Sequence, residues 1–147
     1  MLPRWHILWG LIFSIVFKLA VPQTPYFLIS LIWFASVFID FDHYLAGGIK
    51  NNNWKISNVL DYNYEKRDKI INLKKKKDLC EKGDFHIFHT VEAHALIGGI
   101  GIFFTPLFFI FIGMVLHSIL DLIWMVYHDL LKSREFFFFN QIRSIFF

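Results

Sequence analysis

The chain has little of what punctuates and cross-links a soluble fold. It holds one cysteine, Cys80, which excludes an intramolecular disulfide and carries no report of an oxidising compartment. A lone thiol in a lysine-rich stretch is an ordinary side chain. There are no internal repeats, no glycine-rich phosphate loop and no serine-based nucleophile motif, so the usual signatures of nucleotide binding and of serine hydrolysis are missing. Of only four prolines, Pro22, Pro25 and Pro106 fall between apolar blocks. Charge is scarce as well: of 15 Lys and Arg, ten lie between Lys50 and Lys82, leaving Arg4, Lys18, Lys132, Arg134 and Arg143 for the rest of the chain. A net charge of +3 concentrated in that way fits a solvated loop and gives no reason to expect a nucleic-acid partner.

What is present is apolar. Hydrophobic residues make up 56% of 147 positions, 19 of them phenylalanine, which is too much for a soluble domain of this length. The composition therefore predicts a single all-α, membrane-embedded domain over 1–147, built as a bundle of four transmembrane helices at about 5–21, 26–46, 85–105 and 107–131. Each block approaches the ~20 residues that cross a ~30 Å core, and the long C-terminal apolar stretch divides near Thr105 and Pro106. Gly47 and Gly48 are expected to end the second helix. Residues 47–84 then form a polar loop with room for one short helix near 61–79, whose lysines can touch anionic lipid head groups. Phe136 to Phe147, too short to span, suits the membrane interface. A cleaved signal peptide competes for the first block, but Lys18 sits where cleavage would fall and no Ala-x-Ala site follows. The two short connections carry no Lys or Arg, so the positive-inside rule places both termini and the 47–84 loop in the cytoplasm, in a multi-pass arrangement suited to a cytoplasmic (inner) membrane.

Against that background the polar residues stand out. His6, Asp40, Asp42, His43, His86, His89, His94, His117 and Asp121 lie inside or beside the apolar blocks. An Asp at the helix centre costs roughly 2.5 to 3.5 kcal/mol on insertion scales, so such groups face a bundle interior and mark function. Counted at ~1.5 Å per residue from the outer helix ends, His6, Asp40 to His43, His89, His94, His117 and Asp121 fall at about 15 to 26 Å, a single slab on the cytoplasmic side. His117 and Asp121 are i, i+4 and share a face; Asp40 and His43 are i, i+3 and do likewise. Asp42 points away unless the second helix unwinds. His86, Thr90 and His94 form one arc with His89 at its edge, Glu92 looks elsewhere, and His128 joins the face of Asp121. Imidazoles and carboxylates at such spacings are metal-ligand types. The alternative for each pair is an interhelical hydrogen bond or, near the interface, a solvated side chain. For His86 and His128 an interfacial or supporting role is the expectation.

The ordered set resembles the family of small membrane-bound metal-dependent hydrolases (YdjM-like), itself similar to zinc-dependent phospholipase C and zinc-dependent single-strand nucleases. The matching pieces are His6 near the N-terminus, Asp40-x-Asp42-His43 closing the second helix, His89 and His94 opening the third, and His117-x3-Asp121 in the fourth. Two departures are visible: Ile39 stands where the family usually has proline, and the third motif reads His89-Thr90-Val91-Glu92-Ala93-His94 without the family's arginine. The resemblance implies metal ligation by His6, Asp40, Asp42, His43, His89, His94, His117 and Asp121, by two or three divalent ions, zinc first and manganese or iron otherwise. It implies hydrolysis of a phosphoester or related ester by metal-activated water oriented by Asp40 or Asp42. A site in the inner leaflet would take a lipid-like or amphipathic substrate, with membrane lipids as its surroundings. The competing expectation is a metal-binding membrane protein without catalysis, a carrier or a subunit with a structural ion.

Overall fold

The computed structural model describes residues 3–77 and 86–146. Cys80 and the expected start of the third helix at Phe85 lie outside the described residues. Among those described, every regular element is helical: α1 (Pro3–Ala20), α2 (Tyr26–Phe38), α3 (Phe41–Asn51), α4 (Ile56–Lys77), α5 (Val91–Gly101), α6 (Thr105–Tyr127) and α7 (Phe138–Phe146), with short 3-10 turns at Ile87–His89 and Leu131–Ser133. Two stretches, Tyr26–Asn51 and Thr105–Tyr127, are long and apolar enough to cross a membrane. At ~1.5 Å per residue α1 is about 27 Å long, whereas α5 covers only about half of a ~30 Å core.

α6 sits at the centre, packed against α2, α5 and α1, and α1 also packs on α2. Pro106, in the first turn of α6, starts that helix where its missing N–H costs nothing. The α2–α6 crossing is close because Gly113 faces α2. A Cβ there would come 2.8 Å from the Ala35 Cβ and nearer still to the Ile32 carbonyl oxygen. Gly113→Val is therefore expected to push the two helices apart at a cost of about 1 to 3 kcal/mol. Thermal melting in detergent should show a Tm lower by on the order of 5 °C; an unchanged Tm would mean the crossing is slack.

The second helix differs from expectation in two places. It is interrupted at Ile39–Asp40 and resumes as α3, and Gly47 and Gly48 lie within α3 rather than at its end. Both glycines are buried because α4 and the Trp54 ring pack directly on them: a Cβ at Gly47 would meet Val59 at 2.9 Å, and one at Gly48 the Trp54 ring at 2.5 Å. α3 ends at Asn52, which adopts a left-handed conformation, φ 47°. The polar 47–84 region is more ordered than a loop. α4 runs 22 residues, packs on α3 and buries Val59, and its Lys74 meets Asp129 beyond α6 at 2.8 Å. The third segment begins later than expected: Thr90 accepts a hydrogen bond from the Ala93 N–H and caps α5, so His86 to His89 are not helical partners of His94.

The buried polar set contains His6, Ser36, Asp42, His89, His117 and Asp121, and Ile29, Ile32, Met114 and Met125 are buried with them, while many other large apolar side chains are exposed, Leu19 of α1, Phe27 of α2, Leu96 of α5 and Ile123 of α6 among them.

Candidate metal centre

The interruption of the second helix is where the site begins. In an unbroken helix the Asp40 N–H would bond to the Ser36 carbonyl; instead it reaches the Val37 carbonyl at 3.4 Å, and the Ser36 carbonyl accepts from His117 Nδ1 at 2.8 Å. A histidine from α6 thus takes a rung of the ladder, a recognised cause of helix breaks. The break changes the angular phase, and Asp42, which a straight helix would turn away, becomes buried beside His89.

Two hydrogen bonds then fix the protonation of two imidazoles. A carbonyl oxygen only accepts, so His117 Nδ1 carries the proton it gives Ser36. His89 Nδ1 likewise donates to Asp42 Oδ2 at 3.0 Å, an oxygen that also accepts from the Phe88 N–H at 3.1 Å. In their neutral forms both rings are left with bare Nε2 lone pairs, and these face each other at 3.1 Å. Carboxylates surround the pair. Asp121 Oδ2 lies 3.6 Å from His117 Nε2 and 3.9 Å from His89 Nε2, and Asp40 Oδ1 lies 3.4 Å and 3.6 Å from the same two atoms. Donors arranged tetrahedrally about a zinc ion with bonds of 2.0–2.1 Å are separated by about 3.3 to 3.4 Å, the edge of such a tetrahedron. The measured separations bracket that value. The donor set fits a divalent cation, with His117 anchored by a backbone carbonyl and His89 by a carboxylate, the outer arrangement that orients metal-binding histidines elsewhere.

The remaining side chains arrange around this cage. His6 is fully buried, stacks on His117 with ring centroids 3.9 Å apart, and brings Nε2 to 3.3 Å from Asp121 Oδ1, without hydrogen-bond geometry at either nitrogen. Four groups have donor atoms within 4.8 Å of one another: His89, His117 and Asp121; His6, Asp40 and His117; Asp40, His43 and His89; and Asp42, His43 and His86. Seven of the eight expected ligands therefore come together. The eighth, His94, belongs to none of these groups. Its ring binds the Thr90 carbonyl through Nδ1 at 2.9 Å, and Nε2 lies 3.0 Å from Ser118 Oγ and 3.3 Å from the Met114 carbonyl, a link between α5 and α6. His128 also stays apart, with Nδ1 on the Trp124 carbonyl at 2.9 Å.

Around the expected ligands the structure places His86, read from the sequence as interfacial or supporting, and Arg134, which spacing did not point to. His86, in the segment leading into α5, joins Asp42 and His43. Arg134, 13 residues past Asp121, returns to donate from Nη1 to Asp121 Oδ2 at 2.8 Å. The tail that carries it is tied to the start of α5: the Phe138 N–H donates to Glu92 Oε2 at 2.9 Å, and the Val91 N–H to the Phe136 carbonyl at 2.9 Å. No spacing rule links Asp121 to Arg134, since the chain turns back between them.

Arg134→Ala leaves Asp121 with one cationic neighbour fewer. A hydrogen bond to a charged group contributes about 1.5 to 3 kcal/mol, and a bound cation would offset part of that loss. The variant should therefore melt lower than wild type by on the order of 5 °C in chelator and by less with metal. Equal losses in both conditions would contradict a cation at Asp121.

No protein-family model, curated protein or solved structure matches this chain.

Proposed function

We propose that the protein is a membrane-embedded, metal-dependent hydrolase of the kind its motifs resemble, cleaving a phosphoester or related ester of a lipid-like substrate. The observation that carries the metal reading is the convergence of His89 Nε2 and His117 Nε2, 3.1 Å apart, with two carboxylates. If both rings are neutral, two lone pairs face each other there, and a divalent cation between or beside them satisfies both. Zinc suits imidazole and carboxylate donors, with manganese or iron as the other candidates.

Membrane embedding is supported by the apolar exterior and polar interior, and by the two helical stretches long enough to span. In this reading α1 and the α5 segment complete four crossings, and the lysine-rich α4 side faces the cytoplasm.

A divalent ion held there supplies Lewis-acid chemistry, lowering the pKa of water towards neutrality and drawing charge from a phosphoryl or acyl oxygen. The chain's own groups do the rest. Asp40, with its side chain 18% exposed, is the carboxylate of the cage that solvent reaches, and it takes the proton of an attacking water. His43, also partly exposed, marks the side from which substrate enters. Asp121 is buried and already held by Arg134 and His6, so it positions rather than exchanges protons. Asp42 orients His89 through Oδ2.

The test is a panel of amphipathic phosphodiesters, phosphomonoesters and carboxylic esters, assayed with metal-loaded wild type and Asp40→Asn. Turnover by wild type that Asp40→Asn loses by about 10² to 10⁴-fold, the range of general-base catalysis, supports the proposal. Metal-loaded wild type that turns over none of the three classes would leave a non-catalytic metal-binding protein and overturn the hydrolase reading.

A further inference from the structure

Beside the inner cage lies a second cluster, in which Asp42 and His43 belong to the ligand set the resemblance implies and His86 is this chain's own addition. His86 Nδ1 and Asp42 Oδ1 are buried, 3.6 Å apart, and neither has a hydrogen-bond partner among the described residues. Asp42 Oδ1 is unpaired although its other oxygen is fully used by the Phe88 N–H and His89 Nδ1. The third wall is His43, whose ring centroid lies 3.7 Å from that of His86, and one donor atom from each of Asp42, His43 and His86 falls within 4.8 Å of the other two. A buried carboxylate oxygen and a buried imidazole nitrogen aimed at each other beyond hydrogen-bond range are what a cation between them would satisfy.

We propose that Asp42, His43 and His86 form a second divalent-metal site next to the inner cage, with Asp42 shared: Oδ2 orients His89 of the inner set and Oδ1 ligates the outer ion. The proposal rests on the inner cage being a metal centre. It gives His86 the role of a ligand. Two ions held there would divide the Lewis-acid chemistry described above between the nucleophile and the developing oxygen.

His86 is also held independently of its ring. Its N–H donates to Gln141 Oε1 at 2.9 Å, and Gln141 Nε2 donates to its carbonyl at 3.4 Å, from a buried position on α7. Truncating the imidazole leaves this clamp in place, so His86→Ala should fold. The C-terminal helix thereby holds the outer ligand in register.

The experiment is metal content by elemental analysis of full-length protein in mild detergent, equilibrated with zinc and freed of excess by gel filtration. Wild type is expected to retain about two equivalents and His86→Ala about one, a halving set by the loss of one ligand site. Two equivalents in both proteins, or one in both, would overturn the outer site while leaving the inner cage standing. None in wild type would overturn both readings. A folded His86→Ala holding none would contradict the division into two sites. Titration of metal-free wild type with cobalt(II), followed by its visible absorption, needs no variant. Saturation at two equivalents supports the second site, and saturation at one overturns it.

Discussion

His117→Ala is expected to lose the inner metal and to lower ester hydrolysis by at least about 10³-fold. The magnitude follows from the role of the ion: stabilising charge in the transition state is worth several kcal/mol, and ~4 kcal/mol corresponds to about a thousandfold in rate. His117 is the residue through which the cage is assembled. Its Nδ1 draws the Ser36 carbonyl out of the second helix, its Nε2 faces His89 and both carboxylates, and its ring face carries His6. Without it His89 is the one imidazole left between Asp40 and Asp121, and the Asp40 N–H can return to the Ser36 carbonyl. The matched control is His94→Ala. That ring ties α5 to α6 through Met114 and Ser118 and touches no group of the cluster, so its loss should leave metal content at the wild-type level while lowering stability. Metal loss in His94→Ala equal to that in His117→Ala would place His94 in the centre after all.

Removing the metal should be nearly as consequential for stability. An ion that binds the folded state at a thousand times its Kd contributes about 4 kcal/mol. For a chain of this size that moves Tm by on the order of 10 °C, at ~2 to 4 °C per kcal/mol. The apo protein is left with two Nε2 atoms 3.1 Å apart that only a proton can bridge, and with buried atoms at His6, Asp42 and His86 that lack a hydrogen-bond partner among the described residues. Chelation is therefore expected to drop the melting temperature of wild type by about that amount, with recovery on adding zinc. His117→Ala, already without the inner ion, should respond less. A chelator-insensitive wild-type melt would mean that protons rather than metal hold the cluster together.

Much of this arrangement can be read from residue spacing, and where it cannot the reason is physical. The i, i+4 relation of His117 and Asp121 places both on the buried face of α6, and Pro106 marks where that helix starts. Angular reasoning also identifies the condition for Asp42 to turn inward, which is that its helix unwinds. The cause of the unwinding is not local: it is a hydrogen bond from a residue 81 positions away, His117 to Ser36. Gly47 and Gly48 look like a helix end because glycine so often serves there. Here they are spaces for Val59 and Trp54, and packing partners outside the helix decide between the two uses. The resemblance puts His94 with the ligands, on a helix expected to run unbroken from residue 85. The capping threonine, Thr90, followed by Glu92 in the first turn, is the local signal that the helix starts later and that the arc of His86, Thr90 and His94 does not exist. Arg134 and Gln141 reach the site only because the tail folds back, and periodicity has no means of recording a return of that kind.

The tail also explains how this chain differs from the motif it resembles. The expected arginine beside the third-helix histidines is missing, and Val91 occupies the following position. Arg134 brings a guanidinium to Asp121 from the other end of the sequence. A cationic group thus stands beside the His/Asp cluster, supplied from outside the motif.

The central claim is that the cage formed by His89, His117, Asp40 and Asp121 holds a divalent cation. The direct measurement is the metal content of the full-length protein, purified in mild detergent under metal-replete conditions and quantified by elemental analysis beside His117→Ala. The account predicts at least one tightly held equivalent in wild type and a loss of at least one in the variant. Less than one equivalent in the wild-type protein would contradict it.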